Sequence, residues 1–260
     1  MIIILVLLVV VILALVVRHM TWKALPWPAQ GLTPPRIQGH RGYWKEGAQE
    51  NSLASFRSAQ ARGIKMIEFD VRLSKDGIPV VFHDDNLVRI GNTTHQVQEL
   101  SAAELKQKVN APSFEEVLMA SDIPQLLNVE LKTKSALHGE LENQVALLVR
   151  KHRAEGRVLF SSFNPIAIWR LSKLLPEVPR ALLASREDDP SNKIYLKKLW
   201  LAPYVGVHLL HLDKSYWSTE DVAAYKKRGI PVGIWTVNDP LLAEKFLQAG
   251  AISIISDTLV

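Results

Sequence analysis

Glu68 and Asp70 sit two residues apart in MIEFDV, residues 66–71, a run that otherwise reads as a buried strand. On a strand such positions share one face, about 6–7 Å apart. Carboxylates in apolar surroundings are costly unless they are paired or bind a cation. The pattern recurs in LNVELK, where Asn128, Glu130 and Lys132 alternate onto one face. An earlier strand-like run ends in His40-Arg41-Gly42, and His83 follows the run PVVF at 79–82. Taken singly, an acid in a strand is usually a solvated edge or half of a salt bridge, and a lone histidine is usually a core residue. Three acids, two histidines, an arginine and a lysine on the ends of neighbouring strands make a different case. Three hard oxygen ligands suit Mg²⁺ or Ca²⁺ rather than zinc. A divalent cation beside Arg41 and Lys132 would take a phosphate-bearing ligand, because all three offset anionic oxygens. Two flanking histidines would serve as general base and general acid.

These side chains need strands that end on one rim. Strand-like runs at 36–39, 66–71, 79–82, 127–131, 157–161, 180–183, 205–210, 231–236 and 252–255 alternate with helical stretches at 51–62, 114–120, 136–154, 165–174, 191–202, 219–228 and 239–249. Ser218 and Asn238 are the expected caps of the last two. The alternation predicts a parallel α/β fold. Between 66–71 and 79–82 there is no room for a crossover helix, since a parallel connection needs about a dozen residues or more. Asp76-Gly77 there is a hairpin signal. The arm 79–82 then returns antiparallel, and a two-residue turn would set His83 opposite Asp70. The remaining strands give a (β/α)₈ barrel with a small hairpin insertion after the second strand. Active sites of such barrels lie at the carboxyl ends of the strands. No glycine-rich dinucleotide loop supports an open doubly wound sheet.

The chain of 260 residues suits a domain of this size, and it contains no cysteine, which excludes disulfides, zinc–thiolate sites and thiol catalysis. The net charge of +5 is spread out, with no basic block interleaved with aromatics, so nucleic acid is not an expected partner. Nothing in the sequence sets an oligomeric state. Residues Ile2 to Val17 are all apolar and span about 25 Å as a helix, near the short limit for crossing a membrane. A cleaved signal usually has a basic start and a small-residue cleavage site. Here no Lys or Arg precedes the run, and bulky His19, Met20, Thr21 and Trp22 follow it. The expected organisation is a membrane anchor over 1–20, a linker over 21–35 and a barrel over 36–260. Arg18, Lys23 and Arg36 put the barrel on the cytoplasmic side of a single-pass protein.

The stretch GHRGYWKEGAQENSLASFRSAQARGIKMIEFDVRLSKDGIPVVFHDDNLVR resembles the glycerophosphodiester phosphodiesterase family. NVELK at 128–132, LFSSFNP at 159–165, GIWTVND at 233–239 and ISDTL at 255–259 extend the likeness over the whole chain after the anchor. The resemblance implies a metal-dependent barrel that cleaves glycerophosphodiesters to an alcohol and glycerol 3-phosphate. It implies that Glu68, Asp70 and Glu130 hold the metal, with Glu50 of QENS touching the metal or a glycerol hydroxyl. It further implies that His40 and His83 form the acid–base pair, and that Arg41 and Lys132 hold the phosphate. Trp235 would either pack on the glycerol carbons or fill the barrel core. The loops after 180–183 and 205–210 would shape the side of the leaving alcohol; His208, His211 and Trp217 sit there with no role assigned to them. Gln49 and Ser52 replace the family's usual proline and threonine. The family's last helix has no counterpart here, which would expose the seam between the last and first strands, and the 19–35 segment with its tryptophans is the only nearby apolar material to cover it. Two other activities stay open: a lysophospholipase D acting on membrane lysolipids, and a barrel that binds a headgroup without turnover.

Overall fold

The computed structural model describes residues 2–29, 32–133, 137–189 and 192–260. Position 1 of the anchor, positions 30–31 of the linker and the expected helix starts at 136 and 191 lie outside the described residues. The chain begins with helix α1 (Ile2–Thr21). It continues through β1 (Ile37–His40), α2 (Leu53–Ala61), β2 (Met66–Leu73), β3 (Pro79–Val81), α3 (Val88–Gly91), α4 (Ala102–Val109), α5 (Phe114–Met119) and β4 (Leu126–Leu131). Then follow α6 (Glu140–Lys151), β5 (Val158–Ser162), α7 (Pro165–Leu174), β6 (Arg180–Ala184) and α8 (Ile194–Lys197). The last elements are β7 (Leu209–Asp213), α9 (Thr219–Lys227), β8 (Val232–Trp235), α10 (Pro240–Ala249) and β9 (Ser253–Ser256).

All strands but β3 are parallel, in the order β1-β9-β8-β7-β6-β5-β4-β2, and β2 pairs back with β1. This is a closed eight-stranded (β/α)₈ barrel. Strand alternation gives each wall two chemistries. Outward Ile67, Phe69, Val71 and Val129 pack against Phe56, Phe114 and Val145 of the surrounding helices. Inward, a polar layer crosses the barrel. The Asn128 amide donates to Gln38 Oε1 (2.9 Å), Gln38 donates to Ser253 Oγ (2.9 Å), and Ser161 donates to Asn128 (3.0 Å). Each buried polar group here has a partner, which keeps its burial tolerable.

Several elements differ from the periodicity. The strand expected at 205–210 forms at Leu209–Asp213, because Gly206 takes a left-handed φ of 76° that interrupts extended backbone. The helix expected over 191–202 is limited to α8, since Leu199 is also left-handed (φ 56°) and a 3₁₀ turn over Ala202–Tyr204 follows. Asp239, not Asn238, caps α10, accepting from Leu241 and Leu242 N–H. Among the described residues of the 19–35 segment, Trp22 and Ala24 join the apolar layer that also holds Ile37 and Ile254. Leu32 enters the bottom of the barrel, against Met66, Leu159, Ala181 and Leu209 at the starts of their strands. Outward Gly39 lies under the Gly42 carbonyl and Ile64, and Ile37 packs into the same layer as Ile254 and Phe246.

Candidate active site

The carboxyl end of β1 turns sharply. Arg41 is left-handed (φ 55°) and so is Gly42 (φ 83°), where a Cβ would fall 2.5 Å from Ser55 Oγ. Only glycine fits there. The turn aims the Arg41 N–H at Glu68 Oε2 (3.2 Å), and Ser55 Oγ donates to the Arg41 carbonyl (2.9 Å). Parallel pairing sets His40 beside Glu68 and Asp70 beside Glu130. Glu68, Asp70 and Glu130 are buried, and one oxygen from each lies within 4.8 Å of the others. Lys132 Nζ lies 3.1 Å from Asp70 and 2.5 Å from Glu130, and Arg41 Nε lies 3.5 Å from Asp70.

Burial, reinforced by the charges of Asp70 and Glu130, pushes Glu68 well above the usual carboxylate range. Burial raises Glu130 too, opposed by Lys132 and aided by Asp70. Burial also works against ionised Asp70, but Lys132, His83, Arg41 and the Asn51 amide hold its pKa far below the usual value. The Asn51 amide donates to Asp70 Oδ2 at 2.8 Å. Three acids held this closely, all hard oxygen donors, fit a divalent cation, whose charge would relieve their repulsion.

Both histidines are oriented by a carboxylate on Nδ1. His40 Nδ1 lies 2.7 Å from Asp257 Oδ1, and its Nε2 is 3.9 Å from Glu68. His83 Nδ1 lies 2.7 Å from Asp84. Ionised carboxylates only accept, and both acids are held below their ordinary pKa, Asp257 at about 2 and Asp84 by its Arg89 and His83 hydrogen bonds against a burial that works the other way. Each Nδ1 therefore carries the hydrogen, leaving Nε2 of each ring for proton transfer. His83 is not directly opposite Asp70. The pairing is Val71 with Val81 and Leu73 with Pro79, so Phe82 takes that place and its N–H donates to the Asp70 carbonyl. The turn holds three residues, Lys75 to Gly77, closed by Ser74 and Ile78, with Gly77 left-handed (φ 76°). Arg72 then donates twice to the His83 carbonyl (2.9 and 2.7 Å), fixing it just beyond β3.

Glu50 stands in a different pairing from the three acids. Its oxygens accept from Arg41 (2.8 Å) and Arg89 (2.5 and 2.9 Å). Trp235 sits at the barrel mouth, edge-on to Phe163 at 5.6 Å. A crevice of about 20 Å³ lies there, lined by His40, Glu68, Glu130, His211 and Trp235. A larger cavity, about 640 Å³, lies to one side between Arg72, Asp85, Gln96, Lys132 and His138. It opens beside β2 and β4, not beside the loops after β6 and β7. His208 lies at the opposite end of the barrel, His211 is buried inside it, and Trp217 is buried under Arg186. Of the three, His211 lines the crevice at the mouth, whereas His208 lies away from the rim. Several partners escaped sequence reading, among them Asp84 directly after His83. Asp257 follows β9 at its carboxyl end, the same signal that marked Asp70. Asn51 carried no signal beyond its place after Glu50.

Residues 40–260 match the Glycerophosphoryl diester phosphodiesterase family. The chain belongs to this family. A glycerophosphodiester phosphodiesterase of Caldanaerobacter subterraneus is 29% identical over 235 residues, covering 85% of this chain and 93% of the relative. One of Bacillus altitudinis is 29% identical over 236 residues, covering 85% and 94%. Among solved structures, an Oleispira antarctica phosphodiesterase in complex with the product sn-glycerol-3-phosphate is 31% identical, with a TM-score of 0.73 and coverage of 86% and 93%. The family's enzymes are phosphoric diester hydrolases, and α1 with the whole 21–35 linker precedes the matched span.

Proposed function

We propose that this phosphodiesterase hydrolyses glycerophosphodiesters to an alcohol and glycerol 3-phosphate, with Mg²⁺ or Ca²⁺ held by Glu68, Asp70 and Glu130. The observation that carries the reading is a buried three-carboxylate cluster flanked by two histidines, each with Nδ1 tied to a carboxylate. The Oleispira relative with bound sn-glycerol-3-phosphate supports the product side. When bound, the cation supplies Lewis-acid polarisation of a phosphoryl oxygen. Arg41 and Lys132 lie beside the same carboxylates and are the groups to bind the remaining anionic oxygens. Trp235 offers an apolar face to the glycerol carbons. Glu50 holds Arg41 and Arg89 in place. As water's oxygen bonds phosphorus, one histidine Nε2 takes its proton. As the bond to the departing oxygen breaks, the other histidine gives that alkoxide a proton. Each ring is restored by proton exchange with solvent.

The apolar α1, 20 residues long, is read here as a membrane anchor, with the barrel on the side of Arg18 and Lys23. The decisive experiment measures glycerol 3-phosphate release from a panel of diesters, with chelator and after readdition of each cation. Activity should vanish on chelation and return with Mg²⁺ or Ca²⁺. Undiminished turnover after exhaustive chelation would reject the carboxylate assignment.

A further inference from the structure

The anchor and the active site sit at opposite ends of the barrel. Every site group lies at or just beyond the carboxyl end of a strand: His40, Asp70, Glu130 and Asp257. Among the described residues, the end of α1 and the linker meet groups at the other end. Arg18 donates to the Pro203 carbonyl (3.1 Å), and Arg228 donates to the His19 carbonyl (2.9 Å). The Leu25 N–H donates to Val207 (2.8 Å), and Trp27 lies edge-on to His208 at 6.0 Å. Trp22 is 3% exposed among Leu199, Ala202 and Val205. These partners precede β7 and β8, and Leu32 closes the same end. The linker is therefore docked, not a free tether, while α1 is exposed along its apolar length.

That end of the barrel also has the chemistry of a membrane surface. Exposed Lys65, Arg153, Lys173, Lys198 and Lys227 lie in or beside the turns that lead into the strands, and among the described residues none of them is within ion-pair distance of an acid. The acids of these turns are already engaged: Asp122 by Arg57, and Glu155 and Glu177 by Arg150. Trp200 and Tyr204, 50% and 47% exposed, flank the Pro203 that holds Arg18. Basic side chains with amphipathic aromatics suit an anionic lipid interface.

We propose that the amino-terminal face of the barrel lies on an anionic bilayer beside the embedded α1. The catalytic rim then faces water on the far side. The enzyme serves water-soluble glycerophosphodiesters, not lysophospholipids of the bilayer that holds it. This rests on reading α1 as a membrane anchor and the rim as the phosphodiesterase site. Strands of about five residues, tilted as in this fold, lift the carboxylates roughly 13 Å above the docked face. A lysophospholipid in the same leaflet would have to withdraw its acyl chain to bring its phosphate to Asp70 and Glu130. The anchor then concentrates the enzyme at the membrane without giving it the membrane as substrate.

The chain has no cysteine, so single labels are unambiguous. Ser121→Cys marks the turn before β4, and Ser215→Cys marks the loop after β7 at the rim; both positions are exposed. Each full-length variant is labelled with a fluorophore and reconstituted in phosphatidylcholine vesicles containing phosphatidylglycerol and a headgroup-borne quencher. The Ser121 label should be quenched and the Ser215 label spared. Omitting phosphatidylglycerol should weaken the Ser121 quenching while the protein still floats with the vesicles. Glycerophosphocholine should be hydrolysed equally with and without vesicles, and at least about tenfold faster than lysophosphatidylcholine in the same bilayer. Quenching of Ser215 as strong as Ser121, no quenching of either in floating protein, insensitivity to phosphatidylglycerol, or comparable cleavage of bilayer lysolipid would each overturn the proposal. Protein that fails to float would remove the anchor and the proposal with it. Floating protein that cleaves neither diester would instead count against the phosphodiesterase reading.

Discussion

Glu68 and Asp70 share one face of β2, yet their protonation is pulled in opposite directions. Asp70 has Lys132, Arg41 and Asn51 around it and stays ionised. Glu68 gets burial and two like charges, and holds its proton longer than an unfolded glutamate would. A group whose folded pKa is raised contributes stability at low pH that is lost as pH rises above the unfolded value. Metal-free protein should therefore lose part of its stability as pH rises from about 4.5, and an added divalent cation should restore more at pH 7 than at pH 5. Denaturation with chelator and with Mg²⁺ at the two pH values measures this; an equal gain at both would contradict it. Glu130→Gln should abolish turnover and leave the chelated protein at least as stable. At His83, burial and the nearby Lys132 and Arg41 charges lower the pKa, against the pull of Asp70 and Asp84. His83→Ala should cost about 10²–10⁴ in rate on diesters with alkoxide leaving groups. It should cost much less on a p-nitrophenyl diester, whose leaving group hardly needs a proton. Equal losses on both would assign the general acid to His40.

The hairpin of β2 and β3 shows how far local signals reach. Asp76-Gly77 marked the turn, and the absence of room for a helix marked the return arm. Whether the turn holds two residues or three is set by the left-handed Gly77 and by Ser74, whose hydroxyl bonds Asp76, Ile78 N–H and the Ile78 carbonyl. Two-residue reading misplaced His83 by one position for that reason. Inserting one residue between Lys75 and Gly77 should shift β3 against β2 and carry His83 away from Asp70, with the same loss of about 10²–10⁴ in rate. The fold should survive, because β3 stands outside the closed barrel. Circular dichroism and melting close to those of the parent, beside the lost rate, are the expected result; parent-like activity would mean the register does not position His83. Strand cores such as MIEFDV and LNVEL were legible because apolar residues and acids alternate in them. Asn238 was not, because either it or Asp239 fits the capping pattern. Only the tertiary structure shows that Asn238 is occupied by Asp257 and Ser256.

For the molecule as a whole, the alternation of strands and helices made the barrel legible, whereas the path of the linker was not. Its prolines and tryptophans signalled a stiff apolar connection, but nothing local says which surface it meets. Leu32 is 5% exposed in the barrel floor. Leu32→Ala should destabilise the protein by about 2–4 kcal/mol, the scale of a buried leucine lost without collapse. Chemical denaturation measures this, and a change within about 0.5 kcal/mol would show that the floor does not depend on it. The barrel also joins its own first and last strands. Ile37 pairs with Ile254, and His40 meets Asp257 across 217 positions of sequence. Contacts so distant in sequence form late, after the loop-closure entropy of the whole chain has been met. The carboxylate that orients His40 is then expected to arrive with the final strand, and a chain whose last strand has not docked would have the three-carboxylate cluster without an oriented His40. Turnover should consequently report barrel closure, and an intermediate that has built every strand but the last should be silent.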